Sequence, residues 1–389
     1  KDGTRVYITL PGGKREAFTF KPRQVQRIDG NPLLFFSKYF FAPEFVAEDG
    51  STNTLTIKNQ DDTYITRSPD TGEFFDFGQS AFNPASNIFG GVYVLTTKEG
   101  IEYEIDGETG DLLKVTDTNG NTLTYTDEAV TSSTGQKITF ERDTEGRITS
   151  VKDPEGELIR YEYDDNGDLL SVTDREENVT RMEYNSEREH YLDQIIDPLG
   201  REGVKTEYGE DGKLREIIDV DGNKVEFDYD PDNSIQTVKD ALGNPTTYIY
   251  DERGNILTEI DAEGKIIERE YDDDNNVKFE TIISDRSGAE GFTTKYTYDS
   301  QGNQLTEEDP LGNITRYTYG DKSRLLTATD ALGRITTNTY DGNGNLNTTE
   351  DANGNVTISS YDLRGQLRSV TDAHNKVTQF EYDAQGNVK

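Results

Sequence analysis

Carboxylates are the groups best placed to do chemistry in this sequence: Asp and Glu number 76 among 389 residues, against 40 Lys and Arg. Asp164 with Asp165, or Asp272 with Asp273 and Asp274, have the residue types of a glycosidase acid pair or a calcium cluster. Acid–base work needs two carboxyls held in different environments within a cleft. These sit instead among Gly and Asn in segments of turn composition, so they read as solvated turn residues. Turns rich in Asp and Asn supply oxygen ligands for calcium. The sequence nevertheless has no D-x-D-x-D-G loop with a distal Glu, and no nonapeptide calcium repeat. His190 lies in a charged insertion and His374 in a turn where other units carry Asn or Glu. Neither has a recurring Ser or Asp partner nearby in sequence, and both read as surface residues. Cysteine is absent, which removes disulfides, thiolate ligands and thiol nucleophiles. GNGN at 342–345 is followed by no helical pattern and reads as a hairpin turn rather than a phosphate loop. No catalytic, cofactor-binding or metal-binding residue is assigned, no cofactor is expected, and the chain is expected not to be an enzyme.

The elements behind these residues follow from composition and spacing. Only 31% of residues are hydrophobic while 30% are charged, which argues against one thick core, yet 22 Tyr and 17 Phe are too many for a disordered acidic chain. Something regular must bury the rings. The net charge of −36 is uneven: residues 1–100 carry 12 acids and 11 bases, and residues 101–389 carry 64 and 29. The acidic stretch repels phosphates and anionic lipid, so nucleic acid and membrane insertion are not expected. Interleaved tyrosines leave glycan binding open.

A repeat dominates residues 93–389. Tyr followed by Asp or a close variant recurs at Tyr163, Tyr184, Tyr208, Tyr229, Tyr250, Tyr271, Tyr298, Tyr319, Tyr340, Tyr361 and Tyr382, mostly in steps of 21 residues. Insertions at 187–191 and 285–291 stretch two of the steps. A second series interleaves with the first: D-x-x-G begins at Asp153, Asp197, Asp219, Asp240, Asp261, Asp309, Asp330 and Asp351. Two turn signals per period imply two strands per period, and Val225, Phe227 and Tyr229 alternate with charged residues as a half-buried strand does. An isolated hairpin is marginal in water, so the hairpins are expected to share one sheet, with the repeat tyrosines stacked unit against unit as its structural residues. A strip of a dozen hairpins must twist and curl. The expected fold is all-β, a tandem hairpin array in a continuous curled or spiralling sheet.

Residues 1–92 differ. They are nearly neutral and read as an irregular β-rich leader or cap, with strands at 5–10, 16–20, 54–57, 63–66 and 73–77 and a hairpin turn at PGGK (11–14). NPLLFFSKYFFAPEF at 31–45 is the most apolar stretch and reads as core or edge cover of that leader. Regular hairpins begin with strands at 93–96 and 101–106. The chain opens on KDGTRVYITL, without a signal-peptide apolar segment, and ends on DAQGNVK within a repeat, which is the expectation for a segment of a longer polypeptide.

The pattern YDxxGN-L-x-x-x-x-D-x-x-G-x-x-x-x-x-Y, nearly intact at 250–271, 298–319 and 340–361, resembles the YD-repeat family, also called rearrangement-hotspot (Rhs) repeats. Similar proteins include bacterial Rhs polymorphic toxins, the BC cocoon of insecticidal Tc toxins, and teneurins. The resemblance implies a β-strip that spirals into a hollow shell, enclosing a toxic C-terminal domain in the bacterial proteins and supporting adhesion in teneurins. No core segment that closes and cleaves the bacterial repeats is seen here. DPLG at Asp197 and Asp309 is similar to part of its cleavage motif, but is in register with the repeat turns and reads as turn. The implied role is a non-catalytic wall segment of a large secreted or cell-surface protein of the toxin-encapsulating type. Its partner would be the rest of the same polypeptide, including an encapsulated C-terminal domain. The alternative is an extracellular adhesin or fibrous surface protein that self-associates or binds glycan or protein.

Overall fold

Alternating side chains and closely spaced turns give a chain built of β-strands and the tight turns that join them. The structure, a computed structural model, describes residues 2–10, 15–25, 40–48, 51–58, 64–68, 70–75, 80–86, 91–283, 291–383 and 386–389. The helical exception among them is a single 3₁₀ turn, Asp321–Ser323. The first nine strands are β1 (Arg5–Thr9), β2 (Arg15–Phe20), β3 (Arg23–Val25), β4 (Phe40–Ala42), β5 (Phe45–Ala47), β6 (Thr54–Ile57), β7 (Ile65–Arg67), β8 (Phe74–Phe75) and β9 (Val92–Thr96). Two small sheets, β1–β2–β5 and β3–β4–β7–β8, form from these. The turn expected at 11–14, residues 31–39 of the apolar stretch, positions 63, 76 and 77, and positions 285–290 of the second insertion lie outside the described residues.

Strand β6 pairs with β9, and from β9 onward every strand is antiparallel to the next as far as Val377–Gln379, making one sheet of 29 strands. Its ends are β6 and Val377–Gln379. No ladder joins them among the described residues, so the sheet is an open band. The densest core lies where the band begins: Ile8, Phe18, Leu55, Ile57, Tyr93 and Leu95 are buried together, and Phe20, Ile65 and Phe74 form a second cluster beside them. Buried Glu16 accepts from Ser51 Oγ at 2.7 Å and Asn53 Nδ2 at 2.8 Å, and Asn53 Oδ1 accepts from the Lys98 N–H at 3.3 Å. Further along, the band has one half-buried face per hairpin and no thick interior.

Most hairpin loops of the repeat region share one geometry. At 240–244 the Asp240 N–H donates to the Asn244 carbonyl (3.0 Å), the Gly243 N–H donates to the Asp240 carbonyl (2.9 Å), and Gly243 has φ +83°. This is a tight turn closed by a left-handed residue, a conformation that favours glycine because a Cβ would clash with the backbone. On the Tyr side of most hairpins the register slips by one: Thr339 faces Thr348, but Tyr340 faces Leu346. The same bulge recurs at Tyr163, Tyr184, Tyr208, Tyr250, Tyr271, Tyr298, Tyr319 and Tyr361. Bulges bend a strand and raise its local twist, and here they fall almost always along the rim that carries the Tyr-Asp turns.

Candidate functional site

The repeat carboxylates are committed to the backbone. Asp164 Oδ1 accepts from the N–H groups of Asn166 (2.9 Å) and Asp168 (2.8 Å), and Asp272 Oδ1 accepts from those of Asp274 (2.9 Å) and Asn276 (2.8 Å). Both DPLG sequences form this loop: Asp197 takes the N–H groups of Leu199 and Arg201, and Asp309 those of Leu311 and Asn313. Where Asn ends the loop, its side-chain amide adds a third bond to the second oxygen, as in Asn244 Nδ2 to Asp240 Oδ2 at 2.9 Å. That amide, helped by the Asn backbone N–H, holds Asp174, Asp219, Asp240, Asp309 and Asp351 below the ordinary carboxylate range. No cluster of three or more metal-ligating side chains occurs among the described residues.

His374 lies exposed in a loop, its N–H donating to Asp372 Oδ1 at 2.9 Å. His190 is also exposed, but its Nδ1 lies 2.8 Å from Asp168 Oδ1, a partner 22 residues away that adjacent hairpins bring together. The hydrogen bond and charge of Asp168 push the imidazole above its usual value.

The eleven repeat tyrosines are all half-buried. Their contacts differ from a ladder of stacked rings. Each of six hydroxyls donates to a main-chain carbonyl of the neighbouring hairpin: Tyr163 to Ile148 (2.8 Å), Tyr184 to Leu169 (3.1 Å), Tyr271 to Ile256 (3.0 Å), Tyr298 to Val277 (2.9 Å), Tyr340 to Leu325 (2.9 Å) and Tyr382 to Leu367 (2.9 Å). The bulge accounts for the arrangement. The ladder between Ile256–Ile260 and Ile266–Tyr271 has its last pair at Thr258 and Glu268, so the Ile256 carbonyl lies beyond it and takes a phenol instead of a backbone amide. Tyr229 is followed by the unbulged pair Asp230–Ile235, and there the Tyr250 hydroxyl bonds the Gln236 side chain (3.1 Å). Burial pushes the phenols of Tyr271, Tyr298 and Tyr340 up, which keeps them protonated as donors. The sequence shows the tyrosine period but not the carbonyls left over by the bulges.

On the opposite face, residues just before the tyrosines pair across the strands. Thr297–Thr306, Thr339–Thr348 and Ser360–Ser369 are hydroxyl pairs at 2.7 Å, and Glu162–Ser171 is a carboxylate–hydroxyl pair at 2.9 Å. Such cross-strand pairs stabilise neighbouring strands without an apolar core.

The contacts with most bearing on function connect residues more than two hundred apart. Lys98 Nζ donates to the Gln301 carbonyl (3.4 Å), and Asn119 and Asn345 exchange amide hydrogen bonds at 3.1 and 2.9 Å. Asn121 Nδ2 donates to the Arg364 carbonyl (2.9 Å). In each case a loop on the rim of D-x-x-G turns meets a Tyr-Asp loop from the opposite rim. Nineteen strands separate the first pair of loops and twenty-one the second. The band therefore coils, and its second winding rests on its first. About twenty strands at ~4.8 Å make a circuit of roughly 100 Å, or about 30 Å across.

With that geometry in hand, the family profile described as RHS Repeat matches residues 229–266, 298–335 and 361–389. No curated protein sequence matches the chain. A crystal structure of TcdB2-TccC3 without its hypervariable C-terminal region is similar with a TM-score of 0.50 and 13% identity, over 96% of this chain and 22% of that one. TcdB2-TccC3-TEV gives 0.50 and 14%, over 99% and 22%. These likenesses show the fold, and this chain spans about a fifth of the length of those chains. No helix among the described residues is long and apolar enough to cross a membrane. Three segments of the repeat region thus match the RHS Repeat family, within a fold that is a tandem array of hairpins.

Proposed function

We propose that the chain is non-catalytic wall material: part of a hollow shell in a large secreted or cell-surface polypeptide, of the kind that encloses another domain of the same molecule. The observation that carries this reading is the rim contact at Lys98–Gln301, Asn119–Asn345 and Asn121–Arg364, which joins one winding to the next as a continuous wall requires. The repeat tyrosines are its structural residues, tying hairpin to hairpin. Residues 1–92 act as leader or cap and 93–389 as the array; pairing of β6 with β9 covers the strand edge on which the array would otherwise start open. The hypervariable C-terminal region named for TcdB2-TccC3 supports an enclosed, variable domain as the partner.

Small-angle scattering on the 389-residue chain tests the wall. A hollow cross-section of roughly 30 Å is expected from the strand count. A flat ribbon, or a solid particle without a lumen, would overturn it. Turnover on a panel of polysaccharides would overturn the non-catalytic assignment.

A further inference from the structure

We infer that the uncovered D-x-x-G rim is a docking surface for the Tyr-Asp rim of a second copy of this chain, through a row of exposed leucines. The argument starts from the covered part of the rim. In the loop that begins at Asp117, Asn119 is the third residue, and it reaches the opposite rim at Asn345 and against Gly365. The third position of a D-x-x-G loop is thus one of those that touch another winding, beside Lys98 at the second position of its loop and Asn121 at the fifth. In the loops at Asp197, Asp240, Asp309 and Asp330 that position is Leu199, Leu242, Leu311 or Leu332, exposed by 77%, 87%, 84% and 80%. Four nearly bare leucines at one repeat position are unusual on a surface whose scattered apolar residues need no partner.

What covers them follows from the contact already present. Both rims repeat every two strands, so a row of Tyr-Asp loops matches a row of D-x-x-G loops in pitch. The loops at Asp251 and Asp272 present such a row on the first winding, with Glu252, Arg253, Asp273 and Asp274 exposed. Each copy therefore carries both halves of the contact, and the association is head-to-tail. It continues the interface between windings rather than joining strand edges. The acidic surfaces oppose it and the leucines favour it, so salt should strengthen it.

The inference rests on the wall reading, yet the two can fail separately. In sedimentation velocity the chain should form larger species as concentration and salt rise. The combined variant Leu199→Glu, Leu242→Glu, Leu311→Glu, Leu332→Glu should weaken association at least about tenfold. It should fold normally, because Glu155, Glu176 and Glu263 already occupy this loop position. Scattering from the monomeric variant still reports on the lumen. Because the chain has no cysteine, Leu242→Cys and Glu252→Cys chains can be mixed and oxidised, and the mixed crosslink should exceed either self-crosslink. A chain that stays monomeric in high salt, a leucine variant that associates as well as the parent, or self-crosslinks at Leu242→Cys in excess of mixed ones would each overturn the inference.

Discussion

The bond from the fourth residue's N–H back to the Asp carbonyl in these loops depends on a residue that must take positive φ. Glycine does so at most loops, but Glu177 (φ +63°), Asn275 (φ +65°) and Asn375 (φ +62°) stand in its place. A left-handed conformation costs an ordinary L-residue about 1–2 kcal/mol, and Asn less than most because its short side chain bonds locally. Glu has no such relief. Replacing Glu177 by Gly removes the strain, at the expense of a more flexible unfolded chain and of an exposed ion pair with Arg160 at 3.0 Å that contributes little. The balance is a gain of about 0.5 kcal/mol, read as a higher urea midpoint, with a smaller gain for Asn375→Gly. A lower midpoint for Glu177→Gly would show that the backbone there is not strained. His190 contributes in the other direction with pH: its raised value means that the stability from the Asp168 contact is present in the protonated state and is lost as pH rises through the folded value.

At the scale of the hairpin, periodicity made strands, turns and tyrosine positions readable, because each is set within one 21-residue unit. Strands at 54–57 and along the repeats fall where alternation puts them. What tyrosine touches was not readable. The ring contacts between tyrosines found among the described residues are Tyr191–Tyr208 and Tyr248–Tyr250, neither of which joins consecutive repeat positions. A bulge is a mismatch between two strands, and neither strand's sequence alone displays the carbonyl that it strands. The phenol–carbonyl bond makes a specific claim about energy. Tyr271→Phe keeps the ring but removes the phenol that donates to the Ile256 carbonyl, which should cost about 1 kcal/mol in the unfolding free energy. A cost indistinguishable from zero would return the tyrosines to a packing role alone.

Coiling is a property of the whole band, and the separation of Asn119 from Asn345 is fixed by twist summed over some twenty strands, which no single repeat encodes. Bulges confined almost entirely to one rim supply the bias that curls it. Gly365 tests whether the meeting of windings stabilises the fold. Gly354 and Gly365 have φ +80° and +78°, so alanine strains both alike, but only at Gly365 would the new Cβ lie 2.6 Å from Asn119 Nδ2. Gly365→Ala should therefore cost about 1 kcal/mol more than Gly354→Ala, and the excess should vanish in an Asn119→Ala background. Equal costs would mean that the rims merely touch.

Acid response also belongs to the whole molecule, because two opposed effects act on the same carboxylates. The loop aspartates, depressed in the fold by their Asn amides, bind fewer protons than they would unfolded, so their contribution is complete above the unfolded carboxylate range and is lost as pH falls through the folded values. The net charge of −36 works against this: protonation relieves repulsion, which favours the fold as pH falls. Salt separates the two. At ~0.15 M the screening length is about 8 Å, which weakens repulsion between loops while leaving hydrogen bonds within each loop intact. Raising salt at neutral pH should therefore raise the melting temperature. Lowering pH from 7 towards the carboxylate range should destabilise the chain more steeply in high salt than in low. Urea midpoints on a grid of pH and salt decide the matter: an acid loss that is equal at both salts, or larger at low salt, would mean that repulsion is not the term opposing the aspartate loops.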